Sequence, residues 1–199
     1  MKKFIHKKLL IASSNKGKIK EIQELLQPLN IEVVSAADFN LPEPEENGST
    51  FIENAEIKAR YYGSKTNLPS IADDSGLCVN ALSGAPGIYS ARWAGENKDF
   101  TIAMQRIEKE IGNNQNKSGF FACALSLYWP EDGHIENFEG RVYGNLTFPP
   151  RGNNGFGYDP IFIANGYDKT FAEMDPNEKQ KISHRADAFR KLVSFFYKK

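Results

Sequence analysis

The chain has 199 residues, a length that favours one domain, and its 25 Lys and Arg residues balance its 25 Asp and Glu residues. Its 40% hydrophobic and 12% aromatic residues are typical of a globular protein that buries a core, which excludes extended disorder. The zero net charge argues against a general nucleic-acid binder, and no segment approaches the ~18 uninterrupted apolar residues of a membrane span.

The N-terminal segment MKKFIHKKLLIASSNKGK begins like a secretory signal, but Lys7 and Lys8 interrupt its apolar run. We interpret it as a charged tail that leads into a first strand. Cys78 and Cys123 each lie among apolar residues, which indicates buried, reduced thiols rather than a disulfide. These features together predict a cytoplasmic protein.

The first half of the chain predicts strands that alternate with helices. Its predicted elements are a strand over residues 9–12, a helix with apolar positions from Ile19 to Leu29, a strand over 31–34 and a loop over 38–49. Thr50 and Glu53 form a T-x-x-E capping box that starts the next helix. Residues 70–72 and 77–82 predict strands or turns on either side of the polar segment 73–76.

The second half adds a hairpin and two C-terminal helices. Its predicted elements are a helix over residues 99–111, a strand over 120–129, its hairpin partner over 134–142, a Gly/Pro/Asn-rich loop over 149–159, a strand over 160–164 and helix starts at Asp175 and Ser183. Mixed strand–helix units and a hairpin predict an α/β fold on a mixed central sheet flanked by helices. We expect a single domain over residues 1–199.

Two segments of the first half carry groups that suit phosphate and metal ions. Ser13, Ser14, Asn15, Lys16, Gly17 and Lys18 follow the first strand, where the N–H groups at a helix start bind anions. The alternative is a capped helix with exposed lysines. Asp73 and Asp74 suit Mg²⁺ or the activation of a water molecule, or else they form a solvated turn.

A third segment, the acidic loop over residues 43–48, precedes the helix that carries Lys58. Its acids could complete a metal site, with Lys58 reaching a phosphate, but solvated charge is the more usual role of such a run. No zinc motif is present, because the three histidines are far apart in sequence and no cysteine pairs with them at metal-ligand spacing.

Two further segments suit a planar ligand. The glycines of residues 152–160 allow close backbone approach, and Phe156 and Tyr158 offer rings that could stack on a base. The alternative is a turn with both rings in the core. Arg185 lies in the first turn of the last helix, where the dipole favours acids, which suggests a ligand; a surface arginine is the other interpretation.

Taken together and in this order, these segments resemble the inosine triphosphate pyrophosphatase family, which hydrolyses non-standard purine nucleoside triphosphates such as dITP, ITP and XTP. The resemblance extends from Leu10 to about Leu192. It rests on the segments SSNKGK, EENGSTFIENAEIKA, IADDSGL, GAPGIYSARWAG, GFGYDPIF, TFAEM and KISHRADA. The first of these often reads T-G-N in the family, where this chain has Ser13-Ser14-Asn15.

The resemblance implies an elongated mixed sheet, two lobes with the active-site cleft between them, Mg²⁺ as cofactor and a homodimer. Asp74 would be the general base and a metal ligand, supported by Asp73 and by Glu45 or Glu46. Residues 84–92 would lie near the site or the dimer contact, or form a structural turn. The implied substrate-binding residues are Ser13, Ser14, Asn15, Lys16, Gly17, Lys18, Lys58, Ser75, Phe156, Gly157, Tyr158, Asp159, Lys179, His184 and Arg185.

The implied reaction releases pyrophosphate and a nucleoside monophosphate, with a small-molecule purine nucleotide as the partner and neither nucleic acid nor membrane. Two alternatives remain at this point. One is a Mg²⁺-dependent phosphatase of another nucleotide, and the other is a nucleotide-binding sensor without catalysis. The reaction products distinguish them.

Overall fold

The computed structural model describes residues 4–197, apart from the side chains of residues 29 and 197; residues 1–3 of the predicted N-terminal tail lie outside the described residues. The strands are β1 (Lys8–Ile11), β2 (Glu32–Ser35), β3 (Ser70–Val79), β4 (Ser118–Tyr128), β5 (Ile135–Leu146) and β6 (Phe162–Ala164). The α-helices are α1 (Lys16–Leu26), α2 (Phe51–Thr66), α3 (Ser90–Trp93), α4 (Phe100–Ile111), α5 (Pro176–Ile182) and α6 (His184–Tyr197).

The strands form one six-stranded sheet in the order β2-β1-β3-β4-β5-β6. β1 pairs in parallel with both β2 and β3, whereas β5 and β6 are antiparallel. The predicted α/β fold with a mixed sheet and flanking helices is therefore confirmed. Among the helices within residues 4–197, none has the length and apolar composition that crossing a membrane requires.

The chain divides into two compact units, and each is assembled from separate segments. Unit 1 comprises Met1–Asp74, Cys123–Gly140 and Ala188–Lys199. Its main core packs α1 and α6 with β1, β3 and β4 through Ile11, Leu26, Leu125, Trp129 and Leu192. A second core in the same unit surrounds Tyr62 of α2.

Unit 2 comprises Ser75–Ala122 and Arg141–Asp187. Its core packs Met104 and Ile107 of α4 with Phe121, Phe162 and Phe171. The three phenylalanine rings lie 4.8 to 6.0 Å apart between centroids. Because aromatic rings bury a large apolar area, this cluster provides much of the hydrophobic stabilisation of unit 2.

Helix starts agree with the predicted caps. Thr50 Oγ1 accepts a hydrogen bond from the N–H of Glu53 at 3.1 Å, as in a capping box. Glu53 in turn accepts a hydrogen bond from the N–H of Ser49 at 2.6 Å. Asp175 caps α5 and accepts from the N–H of Asn177 at 2.9 Å, and Ser183 Oγ accepts from the N–H of Ala186 at 3.1 Å at the start of α6.

The prediction of two short strands or turns around residues 73–76 was wrong, because β3 runs without interruption from Ser70 to Val79. Consecutive residues on a strand face opposite sides, so Asp73 and Asp74 meet different helices. Lys18 of α1 contacts Asp73, and Lys58 of α2 contacts Asp74. These two ion pairs allow adjacent carboxylates to be buried within a strand.

Candidate functional site

The predicted anion loop, residues 13–18, connects β1 to α1. Asn15 is the N-cap of α1, and its Oδ1 accepts hydrogen bonds from the N–H groups of Gly17 at 2.9 Å and Lys18 at 3.2 Å. Ser13 Oγ accepts from the N–H of Asn15 at 3.2 Å. Asn15 therefore already accepts hydrogen bonds from two of the N–H groups that the sequence predicts would bind an anion. The positive charge of the loop comes from its lysines.

Side chains of this loop contact acids of the same unit. Ser14 Oγ donates a hydrogen bond to Glu43 of the acidic loop. Lys18 Nζ lies 3.1 Å from Asp73 Oδ2, whose side chain is fully buried, and Lys16 is exposed. The anion loop, the acidic loop and β3 thus meet in unit 1.

Glu46, Lys58 and Asp74 form a compact group in unit 1, which we call the Lys58 cluster. Lys58 Nζ lies 2.7 Å from Glu46 Oε1 and 3.6 Å from Asp74 Oδ1. The side chain of Lys58 is 12% exposed and that of Asp74 is 9% exposed. The nearly buried ammonium of Lys58 therefore lies between the carboxylates of Glu46 and Asp74 and forms an ion pair with each.

The Lys58 cluster perturbs the acidity of its members. Burial raises the pKa of Asp74 above its usual 3.8, and the charges of Lys58 and Lys18 only partly oppose this effect. Burial alone would lower the pKa of Lys58, but Asp74, Glu46 and Asp73 raise it above its usual 10.5. A buried carboxylate with a raised pKa is a typical property of a general base.

The predicted metal ligands differ in exposure and in the side chains that they contact. Glu46 contacts Lys58, whereas Glu45 is exposed. Asp73 forms an ion pair with Lys18, and its charge also raises the pKa of Lys58. Among residues 4–197, no three His, Cys, Asp or Glu side chains are arranged as a protein-only metal cage. Of the four predicted ligands, Glu46 and Asp74 are those with an ion pair to Lys58.

In unit 2, the Gly-rich loop is held by Asp159. The buried Asp159 Oδ2 accepts hydrogen bonds from the N–H of Phe156 at 2.8 Å and from Lys179 Nζ at 2.7 Å. Gly155 has a φ of +76°, and a Cβ there would collide with the Asp159 carboxylate. Glycine at this position therefore lets the loop wrap closely around the acid.

The two rings of this loop have different environments. Phe156 is 37% exposed, and Lys179 Nζ lies 5.0 Å from its ring centroid. Tyr158 is only 2% exposed, its hydroxyl donates to the carbonyl of Ser90 at 2.8 Å, and its ring meets Phe100 edge-on. The predicted stacking surface thus fits Phe156, whereas Tyr158 packs in the core and anchors the loop. Gly157, with a φ of +69°, lies between them.

The start of α6 belongs to unit 2 and is also buried. His184 is 6% exposed and stacks on Phe121, with centroids 4.9 Å apart and ring planes 14° apart. Arg185 is 2% exposed, and its Nη2 donates to Ser75 Oγ at 3.1 Å. Arg185 is therefore not the surface arginine of the alternative interpretation.

The sequence analysis assigned no individual role to Asn54 and Ser90, which hold Asp74 and Tyr158 in place. Asn54 of α2 is 1% exposed and donates from Nδ2 to Asp74 Oδ2 at 3.2 Å. Ser90 supplies the carbonyl that anchors Tyr158. Asn54 precedes Lys58 by four residues, and this spacing, which places both on one helix face, was the available signal.

Comparison with known proteins gives a consistent result over nearly the whole chain. A model of the Ham1 family matches residues 9–195. A dITP/XTP pyrophosphatase of Zymomonas mobilis is 56% identical over 94% of this chain and 90% of that protein. A protein of the same name from Rhodospirillum centenum is 54% identical over 97% of this chain and 96% of that protein.

Solved structures agree. The Ham1 protein of Staphylococcus aureus has a TM-score of 0.85 at 40% identity and covers 95% of this chain and 97% of that chain. A nucleoside-triphosphatase, also named dITP/XTP pyrophosphatase, from Mycobacterium abscessus has a TM-score of 0.74 at 39% identity, with 94% and 97% coverage. With sequence and fold in agreement over nearly its full length, the chain belongs to the Ham1 family.

Proposed function

We propose that this protein hydrolyses non-standard purine nucleoside triphosphates, dITP or ITP and dXTP or XTP, to the monophosphate and pyrophosphate, and so removes them from the nucleotide pool. The observation that carries the proposal is the Lys58 cluster, in which the buried Asp74 carboxylate has a raised pKa beside an ammonium. The relatives named dITP/XTP pyrophosphatases support the choice of substrate.

The residues of unit 1 suit the triphosphate and a divalent cation. Mg²⁺ is usually held by one or two carboxylates together with substrate phosphates, and Glu46 and Asp74 provide two carboxylates that converge on one cation position. When bound, Mg²⁺ would neutralise phosphate charge during the transfer. Lys18, Lys58 and the hydroxyls of Ser13 and Ser14 would bind phosphate oxygens.

In the proposed mechanism, Asp74 accepts a proton from a water molecule as the water oxygen forms a bond to the α-phosphorus. The bond between the α-phosphorus and the bridging oxygen breaks, and pyrophosphate leaves with the bonding electrons. Phosphoryl transfer depends mainly on positioning and on stabilisation of charge. The lysines that hold the phosphates therefore provide much of the catalysis.

The residues of unit 2 suit the purine. Phe156 offers an exposed ring face, and Lys179, His184 and Arg185 carry N–H donors that suit the 6-keto oxygen of hypoxanthine or xanthine. Adenine has a 6-amino group, which would place a donor, instead of an acceptor, against those donors, and a site built to donate to the base penalises this mismatch. We propose that this mismatch excludes adenine nucleotides.

Product analysis tests the proposed function. We would incubate the purified protein with Mg²⁺ and, separately, with dITP, XTP, dGTP and dATP, and quantify monophosphate, pyrophosphate and free phosphate. We expect equimolar monophosphate and pyrophosphate from dITP and XTP, with far slower turnover of dGTP and dATP. Omission of Mg²⁺ with added chelator should abolish turnover.

Other products would contradict the proposal in distinct ways. Release of free phosphate instead of pyrophosphate would indicate a phosphatase. Tight binding of intact dITP with Mg²⁺ and no turnover would indicate a sensor. Equal hydrolysis of all four nucleotides would be consistent with the proposed metal-assisted reaction. It would contradict the proposal that Lys179, His184 and Arg185 select the base.

The pH dependence of kcat/KM provides a separate prediction. Asp74 acts as a base only when it is ionised, so activity should fall as the pH drops through its pKa, which burial raises above 3.8. The pH at which kcat/KM falls on the acidic side of the profile, its acidic limb, should therefore lie above the usual pKa of an aspartate. Replacement of Lys58 by Met removes a charge that lowers this pKa, so the limb should move to still higher pH. A limb that is identical in both proteins would exclude Asp74 as the titrating group.

We also propose a cytoplasmic homodimer. Its support is the family resemblance and the burial of both cysteine side chains, which suits a reducing compartment. Sedimentation equilibrium of the purified protein would give twice the monomer mass of 22.4 kDa if the dimer forms.

A further inference from the structure

The side-chain amide of Asn54 is engaged at both ends. Its Nδ2 donates to Asp74 Oδ2 at 3.2 Å, and its Oδ1 accepts from the N–H of Gly48 at 2.9 Å. Asn54 is 1% exposed, so water does not compete for these bonds. A single buried amide thus joins the end of the acidic loop to the carboxylate on β3.

These two bonds fix the geometry of the Lys58 cluster. Glu46 lies two residues before Gly48 in the acidic loop, and Lys58 lies one helical turn after Asn54 on the same face of α2. Asn54 engages Asp74 Oδ2, while Lys58 faces Asp74 Oδ1 at 3.6 Å. The two neighbours thereby set the plane of the carboxylate and the distance of the acidic loop from it.

The acidic loop is shaped to accept this bond. A Cβ at Gly48 would lie 2.7 Å from Asn54 Oδ1 and 2.7 Å from Glu53 Cβ, both too close for a real contact. The next residue, Ser49, is held by Glu53 through its N–H at 2.6 Å and its hydroxyl at 2.7 Å. Any side chain at Gly48 would therefore push the loop away from Asn54.

We propose that Asn54 is a positioning residue, which orients the Asp74 carboxylate and holds the acidic loop beside it for the reaction proposed above. The inference rests on that proposed function. The amide is suited to this role because it donates at one end, accepts at the other and carries no charge. An aspartate would keep the acceptor for Gly48 but present an oxygen to Asp74.

The test compares Asn54→Asp, Gly48→Ala and their double variant with the wild type. For Asn54→Asp we expect kcat for dITP to fall about 10- to 100-fold, the cost of a small misplacement of a reacting group. KM, and the Kd of a non-hydrolysable α,β-imido analogue, should change less than threefold. Gly48→Ala should act in the same direction, and the double variant should lose less than the product of the two effects.

Asn137→Asp is the matched control. Asn137 is also an amide that bridges two side chains in unit 1, because it donates to Glu56 of α2 at 2.6 Å and accepts from Ser126 at 2.7 Å. It does not contact the Lys58 cluster, so it should keep wild-type kcat. Wild-type kcat in a folded Asn54→Asp protein would overturn the proposal, as would a loss of analogue binding and thermal stability in parallel with kcat.

A second readout does not depend on activity. The backbone amide of Gly48 and the side-chain amide of Asn54 should both shift in nuclear magnetic resonance spectra when Asp74 is replaced by Ala, since one bonded chain joins them. If the wild type hydrolyses none of the nucleotides, the proposed function fails, while this coupling still decides whether Asn54 connects Gly48 to Asp74. No shift at Gly48 would overturn the positioning role.

Discussion

Replacement of Asp74 by Asn is expected to lower the turnover of dITP by about 10²- to 10⁴-fold, the range for loss of a general base. Asn keeps the size of the side chain but does not accept a proton at neutral pH. The fold should survive, because Asp74 is held by Asn54 and Lys58 within a continuous strand rather than in a strained turn. Steady-state kinetics with dITP and Mg²⁺, alongside thermal unfolding, measure both effects.

Asp168→Asn is a suitable control, since it makes the same chemical change at an exposed position in unit 2. It should keep wild-type turnover and a similar Tm. Wild-type-like turnover in folded Asp74→Asn protein would remove Asp74 from the role of general base. A large fall in Tm with kcat intact per folded molecule would instead make it a structural residue.

Replacement of Arg185 by Lys should raise KM for dITP about 10- to 100-fold, given the ~1.5–3 kcal/mol typical of a hydrogen bond to a charged group. Lysine keeps the charge but loses the planar fork of donors. Arg185→Ala is a poorer test, because the side chain is 2% exposed and its removal would leave a cavity and the Ser75 hydroxyl without its donor. Initial rates over a range of dITP concentrations provide KM and kcat separately.

Arg151→Lys provides the comparison in the same unit. Arg151 also donates a hydrogen bond from its guanidinium, here to the carbonyl of Asp168 at 3.2 Å, but its side chain is 41% exposed. We expect unchanged KM there. A large loss of thermal stability in Arg185→Lys without a change in KM would assign Arg185 to folding alone.

Local sequence signals predicted the elements whose determinants lie within a few residues. The caps at Thr50, Asp175 and Ser183 are examples, because each cap bonds to an N–H two or three residues later. The β3 segment was mispredicted because Asp73 and Asp74 resemble a turn unless their partners are known. Those partners, Lys18 and Lys58, lie on helices 55 and 16 residues earlier in the chain, beyond the reach of a local sequence pattern.

The Gly-rich loop is a second place where the sequence alone could not predict the environment of a side chain. Phe156 and Tyr158 each follow a glycine, so the sequence alone predicted that either ring could stack on a ligand. Tertiary packing separates them, because Tyr158 reaches the carbonyl of Ser90, 68 residues away in sequence. The choice of Glu46 over Glu45 as the contact of Lys58 likewise depends on the path of the loop.

The assembly of unit 1 from three separate segments constrains when the protein can fold during synthesis. Its main core joins Leu9 of β1 to Leu192 and Phe195 of α6. That core is incomplete until α6 has been synthesised, and unit 2 is likewise complete only once Asp187 has been made. Until then Ile22 and Leu26 of α1 lack part of the apolar core that buries them, and this interval is when the nascent chain is most exposed to aggregation.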